Sequence, residues 1–322
     1  MVHHPGRVSI IGAGTLGGTI AYSLMLTNAA KEILLVDMSQ NIIQGQVLDL
    51  AEVPSTTTVR AGTFKEAGQS TLVILTADTP PSDTNRQQWL KRSRHLLQSI
   101  ASSMSPVHSE IMVLVTSDPV DLYVQSLQSY FPHVSPNRIF GLGNAMATVR
   151  FAEWLKEMMT LSLSSSLSSS SSSPSLAKIT DAYCIGTQHL PVVVWSNAKV
   201  NGSPASALSN LTAQRATCDK VVSNHRRYLI CERKGGAWFG EAAAVTRLVV
   251  AILRQQPSSR TADTIWVLSV TVPRYQCCLS WPVVICNTGV KCLVDILLSA
   301  DEQEQILQVV ESNVADFQAS FT

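Results

Sequence analysis

The chain has 322 residues, 45% of them hydrophobic and 15% charged, with a formal net charge of +1. That length buries one large core or two ordinary ones, and the balanced charge gives no electrostatic footing for nucleic acid or an anionic membrane. A charged share below the roughly 25% of an average soluble protein leaves a surface poor in charge, so a homo-oligomer interface or marginal solubility is expected.

The seven cysteines include no C-x-x-C pair and read as free thiols of a reducing compartment. No apolar run is long enough to span a bilayer. No cluster of Lys or Arg precedes the first apolar segment, as a secretory leader would need. A cytoplasmic location is therefore expected. His3 and His4 are adjacent but lack any supporting ligand spacing, so no metal site is expected.

The first element is a short apolar strand, Val8 to Ile11, which runs into Gly12-Ala13-Gly14-Thr15-Leu16-Gly17 and then a helix-like pattern. "KEILLVDMS" is a second buried strand and ends at Asp37. "STLVILTAD", "SEIMVLVTSDPVD" and "PNRIFGLGN" carry further short apolar runs, with helical spacing between them, as from Gln87 to Met104. Apolar strands alternating with helices predict a parallel sheet covered on both faces. This pattern ends near residue 144.

Beyond it lies the serine tract 161–176, "LSLSSSLSSSSSSPSL", which has no apolar period and reads as a disordered surface loop. "DAYCIG" and "PVVVWS" read as strands, "GGAWFGEAAAVTRLVVAIL" as a mostly buried helix, and "CLSWPVVICNTGVKCLVDILLS" as strand, turn, strand. The tail is an amphipathic helix with Ser299 or Asp301 near its cap. The fold class is α/β. A doubly wound, Rossmann-type parallel sheet is expected over 1–143, and an α+β domain over 144–322.

G-x-G-x-x-G carries weight here because it follows a strand, opens a helix and is followed by an acid closing the next strand. Gly12 makes the tight turn, Gly14 admits a pyrophosphate, and Gly17 lets helix and strand pack closely. The helix N-terminus stabilises the phosphate charge. Asp37 would accept hydrogen bonds from the adenosine ribose hydroxyls and repel a 2′-phosphate. The expected cofactor is NAD rather than NADP.

"VSIIGAGTLG", "LLVD", "GQVLDL", "LVILTA", "TSDPVD", "PNRIFGLG", "VRFAEWL", "IGTQHLPVVVWS" and "GGAWFGEA" occur in the order of the lactate/malate dehydrogenase superfamily. The chain resembles that superfamily over nearly its whole length, its L-lactate branch above all. The match is strongest to about residue 155 and patchy across the serine tract and 200–275. The resemblance implies an NAD-dependent 2-hydroxy acid dehydrogenase acting on lactate and pyruvate or a similar monocarboxylate, usually as a dimer or tetramer. It also puts Thr15, Leu16, Thr76, Ala77 and Thr116 on the cofactor side.

In that family a histidine carries the proton, an aspartate orients it, one arginine grips the substrate carboxylate, and a loop arginine polarises the carbonyl. The carboxylate arginine falls on Arg150 and the loop arginine on Arg86. The malate branch has a further loop arginine, where this chain reads Pro80, Pro81, Ser82, which favours a monocarboxylate.

Three positions depart from the pattern. The orienting aspartate falls on Ala147. The asparagine near the reacting oxygen falls on Asp118, whose charge would repel an anionic substrate unless burial keeps it protonated. A pocket threonine falls on Ala237. The histidine position falls on Gln188 when counted forward from Gly186, and on Thr187 when counted back from Ser196. His189 fits neither count, and a one-residue offset in an extended segment reverses the face. His189, Arg86 and Arg150 are the catalytic candidates, with Arg86, Asp118 and Arg150 contacting substrate. The alternative is an NAD-binding or oligomerising protein that kept the fold and lost the proton relay.

Overall fold

The computed structural model describes residues 4–79, 85–166, 177–208, 211, 213–223, 225–254 and 265–321. The first half supplies β1 (His4–Ile11), α1 (Thr15–Leu26), β2 (Glu32–Val36), α2 (Gln40–Ala51), β3 (Thr58–Ala61), α3 (Phe64–Ala67), β4 (Ser70–Leu75), α4 (Arg86–Met104), β5 (Met112–Val115), α5 (Val120–Tyr130) and β6 (Ile139–Gly141). All six strands pair in parallel, in the order β3-β2-β1-β4-β5-β6. This is the doubly wound arrangement, in which the switch point between β1 and β4 opens a crevice at the strands' carboxyl ends. β5 reads MVLV with every residue buried, because helices cover both faces of a parallel sheet.

The second half continues with α6 (Ala145–Ser166), β7 (Ile179–Thr180), β8 (Tyr183–Gly186), β9 (Pro191–Val194), β10 (Lys199–Val200), β11 (Ser203–Pro204), α7 (Arg215–Val222), α8 (His225–Lys234), α9 (Trp238–Leu253), β12 (Ile265–Val272), β13 (Cys277–Cys286), β14 (Gly289–Leu293) and α10 (Ala300–Ala319). β12 joins β6 antiparallel at Ser269 and Gly141. The sheet then runs on through β13, β8 and β9, with β14 on β13. Both halves therefore share one eleven-stranded sheet. A small sheet, β11-β10-β7, stands apart.

The serine tract differs from its predicted form at its start. α6 continues through Leu161 to Ser166, because extending a formed helix costs far less than nucleating one. The rest of the tract, 167–176, lies outside the described residues. So do Pro80, Pro81 and Ser82 of the loop before α4, and His3. No single helix among the described residues is long and apolar enough to cross a membrane.

Two restraints shape the hairpin between β8 and β9, which carries Thr187, Gln188, His189 and Leu190. Asn144 Nδ2 donates to the carbonyls of Ile185 and Thr187 at 3.0 and 3.1 Å. Glu302 accepts from the Ser196 backbone N–H at 3.1 Å and the Ser196 hydroxyl at 2.6 Å. Glu302 also closes a capping box with Ser299, so the predicted α10 cap holds the far end of the hairpin as well.

Candidate active site

At the crevice, Gly12 has φ +104°, open to glycine and strained for other residues. A Cβ there would lie 2.5 Å from Thr76 Oγ1 and 2.7 Å from the Ala77 nitrogen. A Cβ on Gly17 would collide with the Gly12 carbonyl, whereas one on Gly14 meets nothing within 4 Å. The space above Gly14 is thus open to a pyrophosphate. Gly14 is the N-cap of α1 and has no side chain to cap it, which leaves the N–H groups at Thr15 and Leu16 facing the anion site.

Asp37 Oδ2 accepts from the Ala13 N–H at 2.8 Å and Oδ1 from Ser39 at 2.9 Å. It fixes the turn and keeps lone pairs for ribose hydroxyls. Thr76 Oγ1 donates to the Gly12 carbonyl at 2.7 Å, and Ala77 N–H to Ile11 at 3.0 Å. Thr116 donates to Leu75 from the end of β5. The nine cofactor candidates therefore converge on one strand-end crevice, and they fit a dinucleotide.

A cavity of about 450 Å³ adjoins it and is bordered by Thr116, Ala147, Arg150, Gln188, Arg227 and Glu241 among others. Arg150, on α6, donates from Nη2 to the Val222 carbonyl at 3.0 Å. Its Nε is buried without a partner, and burial lowers its pKa. An unpaired, shielded guanidinium is suited to gripping a carboxylate. Ala147 is 3% exposed in an apolar cluster with Phe151 and Trp154.

Gln188, not His189, borders this cavity. The Gln188 backbone N–H donates to the buried Asp121 carboxylate, and Gly186 turns the hairpin with φ +92°. The neighbouring His189 does not line that cavity. Its ring, exposed at the hairpin tip, meets Trp89 edge-on at 5.9 Å; partial desolvation lowers its pKa, against the pull of Asp118 and with the repulsion of Arg86 and Arg227. Arg86 lies on the same outer side, with Nη2 2.5 Å from Asp316 Oδ2. His189 and Arg86 thus share one small recess, which Gln188 also borders, and neither lines the Arg150 cavity.

Asp118 does not stand alone, as the sequence implied. Its Oδ2 accepts from Arg227 Nη1 at 3.1 Å, and Arg227 Nη2 is 3.6 Å from Glu241 Oε1. Asp78 lies in the same field. Burial, and then the charge of Asp118, push its carboxyl up to about 6, against the pull of Arg227. Sequence reasoning missed Arg227 and Glu241. An acid in place of an amide calls for a cation, and "HRR" offers two, but no spacing rule joins positions 109 residues apart.

Two family models match: the NAD binding domain of lactate/malate dehydrogenase over residues 6–141, and the α/β C-terminal domain of the same enzymes over residues 170–317. The chain belongs to the lactate/malate dehydrogenase family. Members similar to it include L-lactate dehydrogenase A of Rhizopus oryzae, 28% identical over 97% of this chain and 92% of that one. L-lactate dehydrogenase of Gloeobacter violaceus is 29% identical over 92% and 88%. A lactate dehydrogenase from a deep-sea metagenome library has the same fold, with TM-score 0.83, 21% identity and 99% coverage of both chains. So does malate dehydrogenase of Salinibacter ruber, with TM-score 0.79, 21% identity and 97% coverage of both. As in this family generally, the first domain binds NAD.

Proposed function

We propose that this family member binds NAD and a 2-oxo or 2-hydroxy monocarboxylate of the lactate and pyruvate type around Arg150, with hydride transfer impaired by loss of the proton relay. One observation carries the reading: the Arg150 cavity is lined by Gln188 and Ala147 and not by His189, whose ring meets Trp89 edge-on. Glutamine can hydrogen-bond a carbonyl oxygen but cannot supply the proton that the alkoxide must gain. Loss of a general acid–base group costs about 10²–10⁴ in rate.

The seven free cysteines, four of them buried, support a cytoplasmic setting. The exposed Tyr22, Leu26, Ile42 and Leu48 on the adjoining helices α1 and α2 support a homo-oligomer.

The test is to titrate NADH by fluorescence and then follow its oxidation with pyruvate. Binding, with slow oxidation that His189→Ala leaves within about twofold, is the expected result. Fast oxidation that His189→Ala abolishes would return the histidine to the relay and sink the reading.

A further inference from the structure

Asp118, Arg227 and Glu241 form a charge cluster, with side chains only 19%, 28% and 13% exposed, in which Asp118 Oδ1 is buried without a hydrogen-bond partner. At such burial a charge is weakly screened and needs a partner. Arg227 serves both acids at once. Arg150 borders the same cavity, and no ion pair among the described residues includes it. Without Arg227, Arg150 would be the nearest shielded cation for Glu241, which already feels its field.

Two other cations reach the cavity. Lys234 lies over the Phe239 ring at 3.9 Å and, like Arg226, is solvent-exposed, where water screens it. Most of the remaining lining is apolar: Met146, Val149, Ile230, Ala237 and Phe239. The volume, about 450 Å³, lies in the range of small-molecule pockets; with Thr116 on its wall it is shared with the cofactor, and the apolar side is left for a substrate side chain.

We propose that Arg227 is a positioning residue: by pairing with Asp118 and Glu241 it leaves Arg150 free for one carboxylate, and the site thereby selects monoanionic 2-oxo acids with apolar side chains larger than a methyl group. This rests on the function proposed above and names its substrate class. A second carboxylate finds Arg227 already engaged by two acids, so dianions are disfavoured.

The experiment measures binding of pyruvate, 4-methyl-2-oxopentanoate and oxaloacetate to the NADH-loaded chain by calorimetry, so that no turnover is needed. The branched acid should bind at least fivefold more tightly than pyruvate, and oxaloacetate most weakly. Arg227→Met should weaken the branched acid at least tenfold with NADH affinity kept, and Arg227→Lys should keep most of it. The triple variant Asp118→Asn, Arg227→Met, Glu241→Gln should bind within about threefold of the wild type, since both acids that Arg227 served are gone, while Glu153 on the cavity wall stays paired with Lys156 at 2.6 Å. Tightest binding of oxaloacetate, no effect of Arg227→Met, or no rescue in the triple variant would overturn the proposal. A wild-type chain that binds NADH but none of the three acids would overturn the underlying function instead, and the proposal with it.

Discussion

Gln188 shares a cavity wall with Arg150, while the residue after it, His189, packs on Trp89 outside that cavity. A relay rebuilt at the two vacant positions, Gln188→His with Ala147→Asp, should therefore speed NADH oxidation by pyruvate. An increase of about 10²-fold or more is expected, the lower end of what a positioned acid–base contributes. Ala147→Asp alone should destabilise, because it buries a carboxylate in an apolar cluster. Stopped-flow rates and thermal melts of the two single variants and the double one test both points. A double variant no faster than the wild type would mean that the missing relay is not what limits this chain.

The dinucleotide turn should be intolerant at Gly12. Gly12→Ala puts a Cβ 2.5 Å from Thr76 Oγ1 and 2.7 Å from a backbone nitrogen, at positive φ, and strain of this kind costs about 1–3 kcal/mol. NADH affinity should fall at least tenfold. Asp37→Ser should raise the ratio of NADPH to NADH affinity at least tenfold, by removing the charge that faces a 2′-phosphate. Parallel fluorescence titrations with both nucleotides check this, and an unchanged ratio would place the ribose away from Asp37.

Much of this was legible in the chain. The G-x-G-x-x-G turn and Asp37 could be read because they are local: the strand, turn and helix that give them meaning adjoin them. The buried runs of β2, β4 and β5 declared a parallel sheet for the same reason. The α10 cap was legible in Ser299. The hairpin was only half legible. Counting from its two ends gave Gln188 or Thr187 and never His189, but the side each residue faces depends on Asn144, Asp121 and Glu302, all distant in sequence. The Asp118–Arg227 pair was illegible, because α8 docks on the site through tertiary packing that no periodicity encodes. α7, α8 and β12 fall in the stretch where the motifs are sparse.

The helix pair α1 and α2 exposes Leu26 at 55% and Leu48 at 72%, more apolar surface than a monomer gains by displaying. Light scattering on a sizing column should give at least twice the chain mass at micromolar concentration. Leu48→Glu should shift the species toward monomer without lowering NADH affinity more than about twofold. A monomeric wild type would leave that surface unexplained as an interface.

Asp121 makes stability depend on pH. It is fully buried, and burial pushes its carboxyl up to about 7, against hydrogen bonds from the Ser269 hydroxyl and the Gln188 backbone. The folded chain thus holds this proton at pH values where the unfolded chain, near 3.8, has released it. With more protons bound in the native state, stability falls as pH rises. The loss begins near the unfolded value, runs to about pH 7 and levels off above it. Despite their burial, Glu32 is held below the usual carboxylate range by Arg60 and Arg7, and Glu66 by the Thr63 backbone and Arg60; both act in the opposite sense at lower pH, so the comparison must isolate Asp121. Asp121→Asn cannot ionise and should flatten the decline between pH 5 and 7 on the order of the linkage slope for one proton, about 1.4 kcal/mol per pH unit at most. Urea unfolding of wild type and variant at several pH values measures it. Equal slopes in the two proteins would show that Asp121 is ionised in the fold throughout, with the Gln188 hairpin pinned by a full charge.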